Sequence, residues 1–121
     1  MPIAREQLVE RLAETCPELE PLIAEHFEYY AELLLSLLIA DVRLFSISAF
    51  ENGNLDVLQR CLAVMAAGLE DGDDYVKNVV AVSFVEDTGW WEPGMGAFID
   101  VWPEALQAED RRQRDWRPES T

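Results

Sequence analysis

The stretch Tyr75–Asp87, YVKNVVAVSFVED, decides the fold. Its centre, VVAVSFV (79–85), is an apolar run rich in β-branched residues. Such a run suits a strand buried on both faces as well as it suits a buried helix. A strand needs partners for its backbone N–H and C=O groups, however. No other segment alternates apolar and polar residues as a half-buried strand does, so the reading is helix. Asp73 or Asp74 can cap it. That choice makes the whole chain all-α.

Working outward, helical spacing organises the flanks. Upstream, Leu55, Leu58, Leu62, Met65 and Leu69 stripe a fourth helix, closed by Gly68 and Gly72 and bounded by Gly53 and an Asn54 N-cap. Leu34 to Phe50 is apolar nearly all round, which predicts a central helix. Before it, Leu22, Ile23, His26, Phe27 and Tyr30 share a helix face, and a break is expected between Tyr30 and Ser36. The first helix is expected over Pro2–Thr15, with Ile3, Leu8 and Leu12 inside and Pro17 ending it. Downstream, Thr88-Gly89 stops the fifth helix and Trp90 to Gly96 is a loop. A short sixth helix is expected from Met95 or Ala97 to Trp102. Pro103 can open a last one, which would cover the core with Ala105, Leu106 and Trp116.

The expectation is one helical domain over residues 1–121, a bundle of about six helices with possible solenoid-like pair packing, and a charged, partly helical tail over 110–121. At 121 residues and 50% hydrophobic composition the chain can bury a full core without staples. Its net charge is −15, of which residues 1–100 carry −14. That balance repels nucleic acid and anionic membrane, and favours a basic partner or simple solubility. The N-terminus lacks a signal peptide's layout and LLLSLLIA (33–40) is too short to span a bilayer, so a cytoplasmic location is expected. Cys16 and Cys61, without CxxC spacing, read as buried free thiols.

Chemical motifs are scarce. The single histidine, His26, could pair with Cys16 or Cys61 as a nucleophile, but nothing resembles a nucleophile elbow, and a packing histidine is the simpler reading. Glu70–Asp74 lacks the register of a calcium loop. Gly94-Met95-Gly96 follows no strand and is no phosphate cradle. Arg111, Arg112, Arg114 and Arg117 alternate with acids, as on a solvated helix face. No catalytic residue, cofactor or metal ligand is expected. The recognition candidate is the acidic turns with the paired tryptophans: Glu70, Asp71, Asp73, Asp74, Glu86, Asp87, Trp90, Trp91 and Glu92. Either both tryptophans anchor an interface, or one caps the core and the other packs on the last helix.

The order HFEYYAELLLSLLIADVRLF (26–45), ENGN (51–54), a leucine-striped helix, DDYVKNVVAVSFVED (73–87) and WEPGMGAFIDVWP (91–103) resembles a family of small, acidic, all-helical bacterial proteins. Some of these are similar to immunity proteins of toxin–immunity systems. The resemblance runs from about Pro17 to Trp116. It implies an all-α fold and a protein that binds and neutralises a cognate, basic toxin domain. It carries over no active residue. The other expectation is a non-catalytic homo-oligomeric scaffold or adaptor, in which Trp90 and Trp91 bury against a second copy as in a homodimer.

Overall fold

The computed structural model describes residues 1–115. Among these residues seven α-helices succeed one another: α1 (Arg5–Thr15), α2 (Glu20–Tyr30), α3 (Leu35–Glu51), α4 (Leu55–Asp71), α5 (Asp74–Val79), α6 (Met95–Asp100) and α7 (Glu104–Asp115). A 3₁₀ turn at Pro17–Leu19 joins α1 to α2, and α5 runs without a break into a π-helical segment, Val80–Glu86. The described residues contain no strand, so Tyr75–Asp87 is helical as its lack of strand partners required. The polypeptide is an all-α bundle.

The centre of the bundle is α4, not the more apolar α3. α1, α3, α5 with its π extension, and α7 all pack on α4. It buries Val57, Leu58, Cys61, Leu62, Val64, Met65, Ala66 and Gly68. α3 instead leaves Leu37 and Leu44 in solvent and buries one broad face against α4 and the π segment. Size contributes: Cys61, Ala66 and Gly68 let neighbouring helices approach α4 closely. At Gly68 an added Cβ would sit 3.1 Å from Leu8 Cδ1 and 3.3 Å from Val80 Cγ2. Because α1 and α7 meet on α4 from opposite ends of the chain, the helices close around it rather than stacking pair by pair.

The chain start departs from the expected helix. Ile3 is extended and pairs with Gly72 in a parallel bridge: its N–H donates to Asp71 O at 2.8 Å, and its carbonyl accepts from Asp73 N–H at 2.9 Å. Ala4 is the N-cap of α1, with its N–H donating to Gln7 Oε1. Apolar Ile3 thus reaches the core outside helical spacing.

Helix ends follow local chemistry with two exceptions. Gly53, at φ +73°, ends α3 in the left-handed region as glycine allows. Asn54 occupies the N-cap of α4 without its side chain accepting a bond, so it does less than expected. α2 ends on Ala31 at φ +63°, the one non-glycine residue of positive φ among those described. The break before α3 is bridged by His26, which is buried and whose Nε2 accepts from Leu34 N–H at 3.1 Å. His26 is therefore a packing histidine, while Phe27 and Tyr30 of the same helix face remain exposed.

Beneath the π segment lies an aromatic layer. Phe84 and Phe98 are fully buried, Trp102 contacts both at centroid distances of 5.7 and 5.6 Å, and Phe98 meets Phe50 at 5.6 Å. Leu106 is buried and Ala105 half-buried beside it, as expected for a covering helix; Trp116 and the rest of the tail lie outside the described residues.

Candidate functional site

The acidic and aromatic residues singled out in the sequence fall into two places. Glu70, Asp71, Asp73 and Asp74 surround the junction of α4 and α5. Glu86, Asp87, Trp90, Trp91 and Glu92 lie past the far end of the helix that α5 begins. The 12 steps from Asp74 to Glu86 separate the groups by roughly 15–18 Å at the rise of an α-helix. They are not one surface.

The junction group is partly committed to the fold. Asp73 Oδ1 accepts from Val76 N–H at 2.8 Å and caps α5. The carbonyl of Asp71 and the N–H of Asp73 hold Ile3. The carboxylates of Glu70, Asp71 and Asp74 are turned to solvent, and Glu70 and Asp71 line an open recess beside the basic side chains of Arg11 and Lys77.

The far group forms a groove. Asn78, Ala81, Val82 and Glu86 on the outer face of α5 and its π extension make one wall. Trp90 and Trp91 close the end, and Arg112 and Gln113 of α7 make the other wall, around a volume of about 350 Å³. The turn that carries the tryptophans is well made. Thr88 Oγ1 donates to Phe84 O at 2.8 Å at the end of the helical run that continues past the π segment. Gly89 (φ +72°) and Gly94 (φ +86°) supply left-handed positions, and Glu92 N–H bonds to Gly89 O at 2.9 Å.

The two tryptophans divide the roles that the sequence left open. Trp90 is half-buried against the core, with the Arg114 guanidinium 4.9 Å from its ring centroid. Trp91 stands edge-on to Trp90 at 5.7 Å and is 62% exposed. Beside it Val82 is 41% exposed. A large aromatic ring and a β-branched aliphatic side chain thus face water across one groove, the composition of an interface anchor and its pocket.

α7 is fixed against this wall by polar contacts that sequence reading could not supply. Gln113 Nε2 donates to Ala81 O at 3.0 Å and to Glu109 Oε2 at 2.8 Å. Glu109 is partly buried, which pushes its carboxyl up, but bonds from Arg112 and Gln113 outweigh this and hold it below its ordinary value. Asp110 is buried, and burial holds its carboxyl above its ordinary value despite the opposing pull of Arg114, whose Nε lies 2.7 Å away. The interleaved charges were expected to form a solvated helix face; Arg111 and Arg112 are exposed, but Asp110 is buried, and the arginines pair as Arg111–Glu104, Arg112–Glu109 and Arg114–Asp110. The groove is consequently of mixed charge: Glu86 on one wall faces an arginine-bearing wall, with Asp87 and Glu92 exposed outside. The expected acidic and aromatic set included neither Arg112 nor Gln113. The signal that could have revealed the second wall is the Arg112-Gln113 pair, three and four residues after Glu109 on the same helix.

Among the described residues no group of three or more His, Cys, Asp or Glu side chains is arranged to hold a metal ion. None of their helices is long and apolar enough to cross a membrane.

A family model described as a domain of unknown function, DUF7674, matches residues 9–117. No curated protein and no solved structure matches the chain.

Proposed function

The chain belongs to the DUF7674 family, and for this member we propose a non-catalytic protein-binding role in which the Trp91 groove seats a side chain of a partner. The observation that carries the reading is Trp91 itself, a tryptophan 62% exposed at the mouth of a groove, on a turn that two positive-φ glycines and a buried threonine bond hold in place. Exposing that ring on an ordered turn forgoes the burial a tryptophan ordinarily gains. A partner that covers it would recover that gain.

More finely, the partner is a basic toxin domain, and the chain is an intracellular immunity protein that neutralises it. The net charge of −15 supports this. A nuclease toxin needs a positive cleft to hold its substrate, and a strongly acidic binder is drawn to such a cleft quickly and blocks it. Asp87 and Glu92 flank Trp91 on the exposed side and would meet the basic rim. Glu70, Asp71 and Asp74, at the other end of the helix, contribute to the long-range field rather than to the same contact.

The test is a genetic and binding experiment on the neighbouring reading frame. Its C-terminal domain, expressed alone, should arrest growth, and co-expression of this chain should restore it. Trp91→Ala should weaken the complex by 10-fold or more while leaving the thermal unfolding of the free chain unchanged. A neighbour that is harmless, or a rescue that Trp91→Ala leaves intact with unaltered affinity, refutes the reading. A concentration-dependent dimer that Trp91→Ala disperses, seen by sedimentation, would instead favour a self-associating scaffold.

A further inference from the structure

Cys16 and Cys61 come from residues 45 apart in sequence, yet their sulfurs are 3.2 Å apart in the core, and both side chains are fully buried. Cys16 ends α1 at the bend into the 3₁₀ turn, and Cys61 sits near the middle of α4. A disulfide needs a sulfur–sulfur distance of about 2.05 Å, so closure requires a movement of roughly 1 Å, and Cys16 sits at the bend (φ −132°, ψ 77°) between the α1 bond from its N–H to Leu12 O and the 3₁₀ bond that its carbonyl accepts from Leu19 N–H.

A polar lid covers the pair. Arg60, next to Cys61, donates to Glu18 Oε1 and Oε2 at 2.9 Å each, to Thr15 O at 3.0 Å and to Asp56 Oδ2 at 2.9 Å. Cys16 Sγ in turn lies 3.6 Å from Glu18 Oε1. The carboxylate that accepts from Arg60 is the same one that accepts from the outer thiol. Releasing the Arg60–Glu18 clamp therefore exposes Cys16 first. Burial raises both thiols above their ordinary range, more strongly for Cys61, which keeps the closed form unreactive.

We infer that Cys16 and Cys61 form an oxidisable pair, converted by a small-molecule disulfide such as oxidised glutathione into an internal disulfide that staples the end of α1 to α4, with the Arg60–Glu18 clamp as its gate. In the first step the Cys16 thiolate, its proton lost to solvent, attacks one sulfur of the glutathione disulfide and displaces one glutathione thiolate. In the second the Cys61 thiolate attacks Cys16 Sγ of the mixed disulfide and displaces the other glutathione. Two protein thiols are oxidised and one glutathione disulfide is reduced to two thiols. The staple closes a long loop, the situation in which a cross-link most restricts the unfolded chain.

The experiment exposes the full-length native chain to oxidised glutathione, quenches with acid, and reads intact mass, alkylatable thiols and thermal unfolding. The expected product has lost two hydrogens, has no alkylatable thiol, and unfolds several degrees higher than the reduced form. Cys16→Ser should abolish both the mass change and the thermal shift. Glu18→Gln should speed closure several-fold with the same end product. Glutathione adducts without ring closure, two thiols still alkylatable after prolonged exposure, or a disulfide that forms only in urea would overturn the pairing. A Glu18→Gln rate equal to that of the parent chain would overturn the gate.

Discussion

Gly72→Ala should be the most damaging single-methyl change in the protein, and its cost follows from distances alone. Gly72 has φ −71° and ψ 160°, a backbone conformation open to any residue, so no conformational preference is at stake. The added Cβ, however, would lie 2.3 Å from Gly68 O, 2.5 Å from Val76 Cγ1 and 2.9 Å from Val76 Cβ. Neither neighbour can yield. Gly68 O accepts from Gly72 N–H in the last turn of α4, and fully buried Val76 is held through its own N–H by Asp73. Overpacking of this kind costs about 1–3 kcal/mol. Displacing Gly72 also strains the Ile3 bonds to Asp71 and Asp73, each worth about 1 kcal/mol. The expected total is about 3–4 kcal/mol, out of a stability on the order of 5–15 kcal/mol for a domain of this kind. In urea denaturation the midpoint should fall by about 2 M with the slope unchanged. Gly96→Ala supplies the opposite sign, since nothing lies within 4 Å of its Cβ, its φ is not positive, and it sits inside α6; a gain of about 0.5 kcal/mol is expected. A Gly72→Ala midpoint within about 0.3 M of the parent, or a Gly96→Ala loss of similar size to that of Gly72→Ala, would refute the steric account.

Asp73→Ala should cost about 1 kcal/mol through loss of the α5 cap, whereas Asp74→Ala, which breaks no bond of the fold, should change stability by less than about 0.5 kcal/mol; paired thermal melts decide. Ala31→Gly should stabilise by up to about 1 kcal/mol, because it removes a side chain from a left-handed position; a clear loss in the same melts would contradict this. Bonds from Arg60 hold Glu18 at about 2, below its ordinary 4.5, so the folded state binds that proton less readily than the unfolded one. Its stabilising contribution is fully present above pH 4.5 and fades as pH falls towards 2, and Glu18→Gln should flatten the acid limb of the stability profile in that window. An acid limb that is unchanged in Glu18→Gln would show that other groups carry it.

The fold class was legible because one physical requirement, partners for a strand's backbone, excluded the alternative reading of VVAVSFV. Turn positions such as Gly53 and the Asp73 cap were legible because they depend on residues next to one another. The apolar content of Leu34–Phe50 rightly marked a helix packed inside the bundle, but it did not show that α4, with small residues such as Gly68, receives more of the other helices. The burial of Ile3 was legible, but its extended conformation was not, because its partner is Gly72, which no local pattern connects to it. The site was half legible. Exposed aromatic and acidic residues in the 86–92 turn could be named, but the wall formed by Arg112 and Gln113 arises from a contact between segments some 30 residues apart, Gln113 to Ala81. The pairing of Cys16 with Cys61 is of the same long-range kind.

The π-helical segment Val80–Glu86 bears on how the Trp turn is aimed. Its bonds span five residues instead of four, so each residue advances less around the axis than the roughly 100° of an α-helix. Over seven residues the accumulated lag is on the order of a third of a turn. It brings three consecutive side chains, Ser83, Phe84 and Val85, into the interior together. The same lag sets the bearing at which Thr88 leaves the rod. Had these residues wound as ordinary helix, the turn that carries Trp91 would leave at a different bearing from the wall that holds Arg112 and Gln113. The extra residue per turn works as an angular offset between a conventional core and the surface it presents.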